Sequence, residues 1–223
     1  MDDAAFFAAA RSSLFGGSLS QRVVDRLNAI FDAFATYGDG DLNKLSYICA
    51  TGHHESGRFV YDREIWGPTA AQKGYEGRAD LGNTISGDGK RFMGRGFVCM
   101  ITGRRNYADW SDRLGLDLIN NPELAADPTY AARIGVDGMM LGTFTGKKLG
   151  DYINDQGCDY RSARRVVNGT DKAEMIAGYA EAYADALERA GYGAQEAAPV
   201  IASPSIEDRI AALEAWRRSV ETA

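Results

Sequence analysis

Two histidines, three cysteines and five prolines among 223 residues leave little material for several kinds of chemistry. A catalytic zinc site needs three protein ligands, and two histidines on one helix share a face only at a spacing of three or four. His53 and His54 are adjacent and point about 100° apart on a helix, so a metal centre is not expected. Cys49, Cys99 and Cys158 are odd in number and contain no CxxC pair, which excludes a disulfide framework and a zinc ribbon and predicts buried free thiols. Cys49 lies one helical turn before His53, but on an apolar stripe, where packing is expected rather than a Cys/His dyad.

Long apolar runs are also missing: no window approaches the roughly 18 residues of a membrane span. The opening "MDDAAFFAAARSS" begins with aspartates where a secretory signal carries positive charge, so the expectation is a protein made and folded in a cytoplasm, without stable membrane insertion. A net charge of -6 provides no surplus of Lys and Arg for phosphates, which argues against nucleic acid as a partner. No internal repeat is present.

What the chain has is helical periodicity, glycine and carboxylates. Val23, Val24, Leu27, Ile30, Phe31 and Phe34 recur at steps of three and four, predicting a helix over 20–35 capped by Ser18 or Ser20. After "YGDGD" a second helix starts near Asp41, carries Leu42, Leu45, Ile48 and Cys49 on one stripe, and ends at His53-His54-Glu55 before Gly57. From Gly57 to Gly96 the period fades and glycine recurs nine times, the mark of loops forming a binding surface. "RFMGRGFVCMIT" reads as a strand and "GDGKRFMGRGF" as a hairpin turning at Asp88-Gly89, followed by a helix from "TGRRNYADW". Further helices are expected over 130–141, with Pro128 in the first turn, from Tyr160 to Asn168-Gly169, and over 175–190 behind an Asp171 cap. "RSARR", Arg161 to Arg165, reads as a solvated face. The organisation expected is a catalytic domain over 1–193, a Gly/Ala/Pro/Ser linker over 194–205, and a terminal amphipathic helix over 206–223 bearing Ile206, Ile210, Leu213, Trp216 and Val220.

With metal and thiol chemistry set aside, general acid–base work by carboxylates remains. Glu55 sits at the C-terminal end of a buried helix, where the macrodipole opposes an ionised carboxylate, so a carboxyl held neutral is expected there. A second carboxylate that stays ionised is offered by Glu64 in "YDREIW" or Glu76 in "YEGRADLGN".

"HESGRF", the "DRE" ending nine residues after Glu55, "YEGRADLGNTISGDGKRFMGRGF", "ITGRRNYADWSDRLGLDLINNPELAADP" and "ARRVVNGTDKA" together resemble the family 19 glycoside hydrolases, over roughly residues 6–192. The nearest likeness is the branch of bacteriophage endolysins and related cell-wall enzymes. This resemblance implies a mainly α (α+β lysozyme-like) fold, two helical lobes flanking a cleft with a small β-hairpin. It also implies roles: Glu55 as general acid, Glu64 as the base that activates water, and Thr102 as a hydroxyl helping to hold that water. His54, Asn106 and Asn168 match groups that contact the sugar, and Glu76 is the rival base on the cleft wall. An inverting mechanism without metal or organic cofactor is implied, for which the two carboxylates stand about 6.5 to 9.5 Å apart.

One departure stands out. The family pattern runs GRG, two apolar residues, Gln, one apolar residue, then Thr or Ser, whereas "GRGFVCMIT" has an extra residue and no glutamine, with Cys99 or Met100 in its place. The extra residue is accounted for by a β-bulge. The expected substrate is the peptidoglycan glycan strand, cut between N-acetylmuramic acid and N-acetylglucosamine by a monomeric enzyme that waits in the host cytoplasm for a holin. The alternatives are a chitinase acting on N-acetylglucosamine polymers and a glycan-binding module that has lost catalysis.

Overall fold

A computed structural model describes residues 1–193, so the linker and terminal helix expected over 194–223 lie outside the described residues. The helices are α1 (Asp3–Ser13), α2 (Gln21–Tyr37), α3 (Leu42–Glu55), α4 (Ala70–Lys73), α5 (Asp88–Arg91), α6 (Arg104–Leu114), α7 (Pro128–Leu141), α8 (Tyr160–Ala163) and α9 (Ala173–Arg189). One antiparallel pair, β1 (Ile153–Asn154) with β2 (Gly157–Cys158), joins Ile153 to Cys158 and Asn154 to Gly157.

Local chemistry sets these boundaries. Ser20 accepts from the Val23 N–H and opens α2, while Asp41 accepts from Asn43 at 2.8 Å and Lys44 at 3.0 Å and opens α3. Asp127 caps α7, which carries Pro128 at its first position, where no intrahelical donor is lost. The long apolar stripes of α2, α3 and α9 then pack against α1 and α7 in one large core, filled by Leu27, Ile30, Phe34, Ile48 and Tyr183. A second, smaller core of Phe92, Ile101, Tyr107, Trp110, Leu118 and Ile134 forms around α6. Two cores on one chain are the expected two lobes, and Phe144 touches both.

α1, for which the sequence raises no expectation, is helical because Phe6 and Ala10, one turn apart, dock into the large core. Three expectations need correction. Asp171 does not cap α9: Lys172 holds that position with φ 59°, and the Asp171 carbonyl instead receives Arg164. Asp88-Gly89 is the start of α5 rather than a hairpin turn. The expected strand over "RFMGRGFVCMIT" is absent; only isolated bridges join Arg95 to Arg63 and to Ile101. Phe97, Val98 and Cys99 between them are buried in the large core, so burial of three consecutive side chains overrides the alternation a strand needs. Val98 reaches α7 at Gly135, where an added Cβ would lie 2.3 Å from the valine Cβ. Only glycine admits that approach.

Candidate active site

Glu55 is the last residue of α3, and the chain turns immediately after it. Gly57, Arg58 and Phe59 follow with φ of 59°, 61° and 62°, three consecutive positive values of which two belong to non-glycine residues. Such conformations cost roughly 1–2 kcal/mol for a residue with a Cβ and persist only where neighbours fix them. The neighbours here are Ser56 and Arg26. Ser56 Oγ accepts from the Phe59 N–H at 3.0 Å, and buried Arg26 donates to the Phe59 carbonyl at 2.6 Å, the Tyr61 carbonyl at 3.3 Å and Asp62 Oδ2 at 2.7 Å. This joint fixes the direction in which Asp62, Arg63 and Glu64 leave the helix.

Glu64 then pairs with the 94–103 segment. Its N–H donates to the Gly94 carbonyl at 2.9 Å, and the Gly94 N–H returns a 2.9 Å bond to Glu64 Oε2. Tyr75 donates its hydroxyl to Oε1 at 2.9 Å. Burial, and next that bond, push the tyrosine hydroxyl up to about 12, so it remains a donor throughout the neutral range. A Cβ at position 94 would lie 2.9 Å from Glu64 Cγ, which is why glycine stands there. Arg95 and Ile101 exchange both backbone bonds, and the Gly103 N–H bonds to the Phe92 carbonyl at 2.8 Å, so Thr102 lies across from Met93 and Gly94 in a bulged pairing. Asn106, exposed on the first turn of α6, donates to the Thr102 carbonyl at 2.7 Å and holds this corner.

On the other side, Glu55 Oε1 receives Arg164 Nη1 at 2.6 Å, with the arginine side chain 2% exposed and the glutamate 29%. Arg164 Nε also donates to the Asp171 carbonyl, so the guanidinium is held from two sides. The helix end alone does not disclose this cationic partner, and the ion pair leaves the expectation of a carboxyl held neutral by position without structural support. It also corrects the reading of "RSARR" as a solvated face: Arg161 and Arg165 are exposed, but Arg164 is buried. The signal was present, because Arg164 follows Tyr160 by four and adjoins Ala163, on the buried side of the turn. Exposed Asn168 closes the same turn, its N–H bonded to the Arg164 carbonyl at 2.9 Å.

The 94–102 segment runs between the elements that carry the two carboxylates: the Gly94 N–H binds Glu64, and the Phe97 carbonyl comes so close to α3 at Gly52, three residues before Glu55, that an added Cβ there would lie 3.3 Å from it. Burial first, then the charge of Glu55, pushes the Cys99 thiol well above its usual range, so it is no nucleophile at neutral pH. Met100 is the half-buried neighbour.

The remaining candidates divide. Glu76 accepts the Gly87 N–H at 2.6 Å and the Gly89 N–H at 2.9 Å, which commits both oxygens to bracing the start of α5. His54 is half-buried beside Glu55, whereas His53 is buried, with Nδ1 3.0 Å from the Tyr183 hydroxyl and Nε2 without a partner. Desolvation, then Arg58 and His54, lower the His53 pKa to about 4, so it is a neutral core residue. Sequence reasoning did not weigh Asn83, which is buried and joins the glycine-rich wall to α6: it donates to the Tyr75 carbonyl at 2.9 Å and accepts from the Arg104 N–H at 2.8 Å. Among the described residues no group of His, Cys, Asp and Glu could hold a metal ion, and no helix is long and apolar enough to cross a membrane. A concavity of about 520 Å³ between α2 and α7 is lined by none of these candidate residues.

Fold and site together define a class: a mainly helical, lysozyme-like domain that carries two anchored carboxylates on separate elements joined by one buried segment. In sequence the chain is 32% identical over 133 residues to Chitinase 11 of Oryza sativa subsp. japonica, covering 50% of this chain and 51% of that one. It is 29% identical over 125 residues to Endochitinase 1 of Theobroma cacao, covering 45% and 34%. The chain thus spans about half, or less, of the length of these relatives. In fold it is similar to a bacterial family 19 chitinase, with a TM-score of 0.55 at 20% identity over 85% of this chain and 94% of the other. Chitinase C from Streptomyces griseus gives 0.51 at 19% identity over 85% and 91%. No family model matches the chain. The likeness to plant chitinases thus holds in sequence over half of the chain, and the likeness to a bacterial family 19 chitinase holds in fold over most of it.

Proposed function

We propose that this chain is a glycoside hydrolase acting on a β-1,4-linked polymer of N-acetylated amino sugars. The observation that carries the reading is the pair of anchored carboxylates: Glu55 fixed by Arg164, and Glu64 fixed by Tyr75 and the Gly94 amide, with the 94–102 segment between them. In this mechanism Arg164 holds Glu55 through Oε1 and leaves Oε2 as the oxygen that hands on the proton. Glu55 delivers it to the glycosidic oxygen as the C1–O bond breaks, and the leaving sugar departs as an alcohol. A water on the opposite face attacks C1 and gives its proton to Glu64, with Thr102 orienting it and the anomeric configuration inverting.

The motifs that resemble phage endolysins favour peptidoglycan, cut between N-acetylmuramic acid and N-acetylglucosamine, by an enzyme held in the host cytoplasm until a holin opens the membrane. The second reading is chitin, favoured by relatives named chitinase and endochitinase. Purified protein incubated with Gram-negative peptidoglycan and, separately, with chitin tests both, with Glu55→Gln as control. Release of new reducing ends is expected from one polymer, reduced at least about 100-fold in the variant. Mass spectrometry of those ends distinguishes a muramic acid terminus from a glucosamine one. A wild-type protein that binds either polymer and cleaves neither is a binding module, and the hydrolase reading fails.

A further inference from the structure

The concavity between α2 and α7 takes no part in the mechanism above, yet its lining is not that of a packing defect. Along α2, Asp25, Ala29, Asp32 and Thr36 recur at steps of four, three and four, so they share one face. The opposite face, Val23, Leu27, Ile30 and Phe34, is buried in the core. Alanines at 29 and 33 keep the floor shallow, and across it α7 contributes Thr129, Tyr130 and Arg133. The resulting volume of about 520 Å³ lies in the range of small-molecule sites.

The chemistry of the walls narrows the occupant. Tyr37 is 39% exposed and lines the cavity, and the Arg133 guanidinium lies 4.6 Å from its ring centroid, fixing an aromatic surface at the cavity wall. Arg133 itself is engaged by Asp137 at 3.3 Å and by the Arg113 carbonyl at 2.9 Å, so its charge is already balanced. What remains is the Asp32 carboxylate, Asp25 with one oxygen taken by the Gln21 amide at 2.8 Å, the amide of Asn28 and the hydroxyls of Thr129 and Tyr130, a set rich in acceptors and negative in sum. An anionic ligand is disfavoured there. A pyranose ring with C–H bonds on its face and O–H and acetamido N–H donors on its rim is complementary.

We infer that this cavity is a second, non-catalytic glycan site, which takes an uncharged N-acetylglucosamine unit of the polymer. The inference rests on the reading of the substrate as a glycan. Its use is retention: a strand held at two places on one protein is bound more tightly than at either alone.

The test uses the full chain. In a Glu55→Gln background, titration with the N-acetylglucosamine tetramer should reveal two sites by calorimetry and by perturbed tyrosine resonances. Tyr37→Ala with Asp32→Ala should leave one, and should weaken retention on insoluble polymer about tenfold. In the otherwise wild-type protein the same pair should leave kcat/KM on soluble fragments of the cleaved polymer unchanged. Ala29→Gln, which fills the floor with a good helix former, should reproduce the loss without removing any wall residue. Tetramer stoichiometry that the cavity variants do not lower, or undiminished polymer retention in both of them, overturns the inference. Polymer cleavage is read independently: no reducing ends from either peptidoglycan or chitin in the wild type defeats the hydrolase reading, whereas retention unaffected by the cavity variants defeats this one.

Discussion

Acidification should cost this protein stability at His53, in addition to the share of its paired carboxylates. Its ring is 2% exposed and enclosed by Phe15, Phe59, Tyr179 and Tyr183, with Nδ1 shared with the Tyr183 hydroxyl and Nε2 facing no acceptor. In the unfolded chain the imidazole takes up a proton near pH 6.5, and in the folded protein only near pH 4. Between those values the unfolded state binds more protons, so stability rises with pH and falls as pH is lowered. Above about 6.5 the ring is neutral in both states and contributes no pH dependence. The penalty accrues through the window and reaches about 3 kcal/mol near pH 4, from roughly 2.5 units at 1.36 kcal/mol each. Urea unfolding measured from pH 7.5 to 4, for the wild type and for His53→Gln, isolates this share from that of the carboxylates. The two curves of unfolding free energy against pH should converge as pH falls, with the variant less steep. Parallel curves would refute the assignment of His53 as a buried neutral ring.

Other perturbations address the site. Glu64→Gln should lower kcat on the cleaved polymer by about 100-fold or more, while Glu76→Gln should leave kcat within about threefold and reduce stability by about 1 kcal/mol, read from reducing-end release and urea midpoints; comparable losses in kcat would mean the two roles are misassigned. Arg164→Met removes the partner of Glu55 and of the Asp171 carbonyl, and should destabilise by about 3 kcal/mol, as breaking a buried pair does, with Arg164→Lys recovering part of it. Gly135→Ala drives a methyl into Val98 and should cost about 1–3 kcal/mol by thermal or urea unfolding. Val98→Ala in the same chain should return part of that loss, because the two positions touch.

The helices were legible where a stripe and a cap agreed. Ser20 with Val23, Leu27 and Ile30, or Asp41 with Leu45 and Ile48, specify start, face and burial together. α1 was passed over because its alanines carry little periodic contrast and its docking depends on surfaces far along the chain. The 95–101 segment misled for a related reason: β-branched and aromatic residues in a row suit a strand, but here they plug a core and pair only at isolated positions. At the site, Glu55 stood out by its place at a helix end, whereas Glu64 and Glu76 were equal by type, and only the family resemblance ranked Glu64 first. The partners of Glu55 and Glu64 could not be singled out, since Arg164 lies 109 residues from Glu55 and the Gly94 amide 30 from Glu64. Backbone donors leave no trace in residue identity, so the hold on Glu64 was invisible until the chain was folded.

The joint after Glu55 is sprung rather than slack. Arg58 and Phe59 both sit where the backbone would relax if released, and buried Arg26 is the latch that keeps them wound. Loss of that latch would let the linkage uncoil downhill, carrying the Asp62–Glu64 arm with it and altering the gap between the two acids without touching either. The spacing on which the proposed hydrolysis depends would thus answer to Arg26, on a helix that contributes no reacting atom.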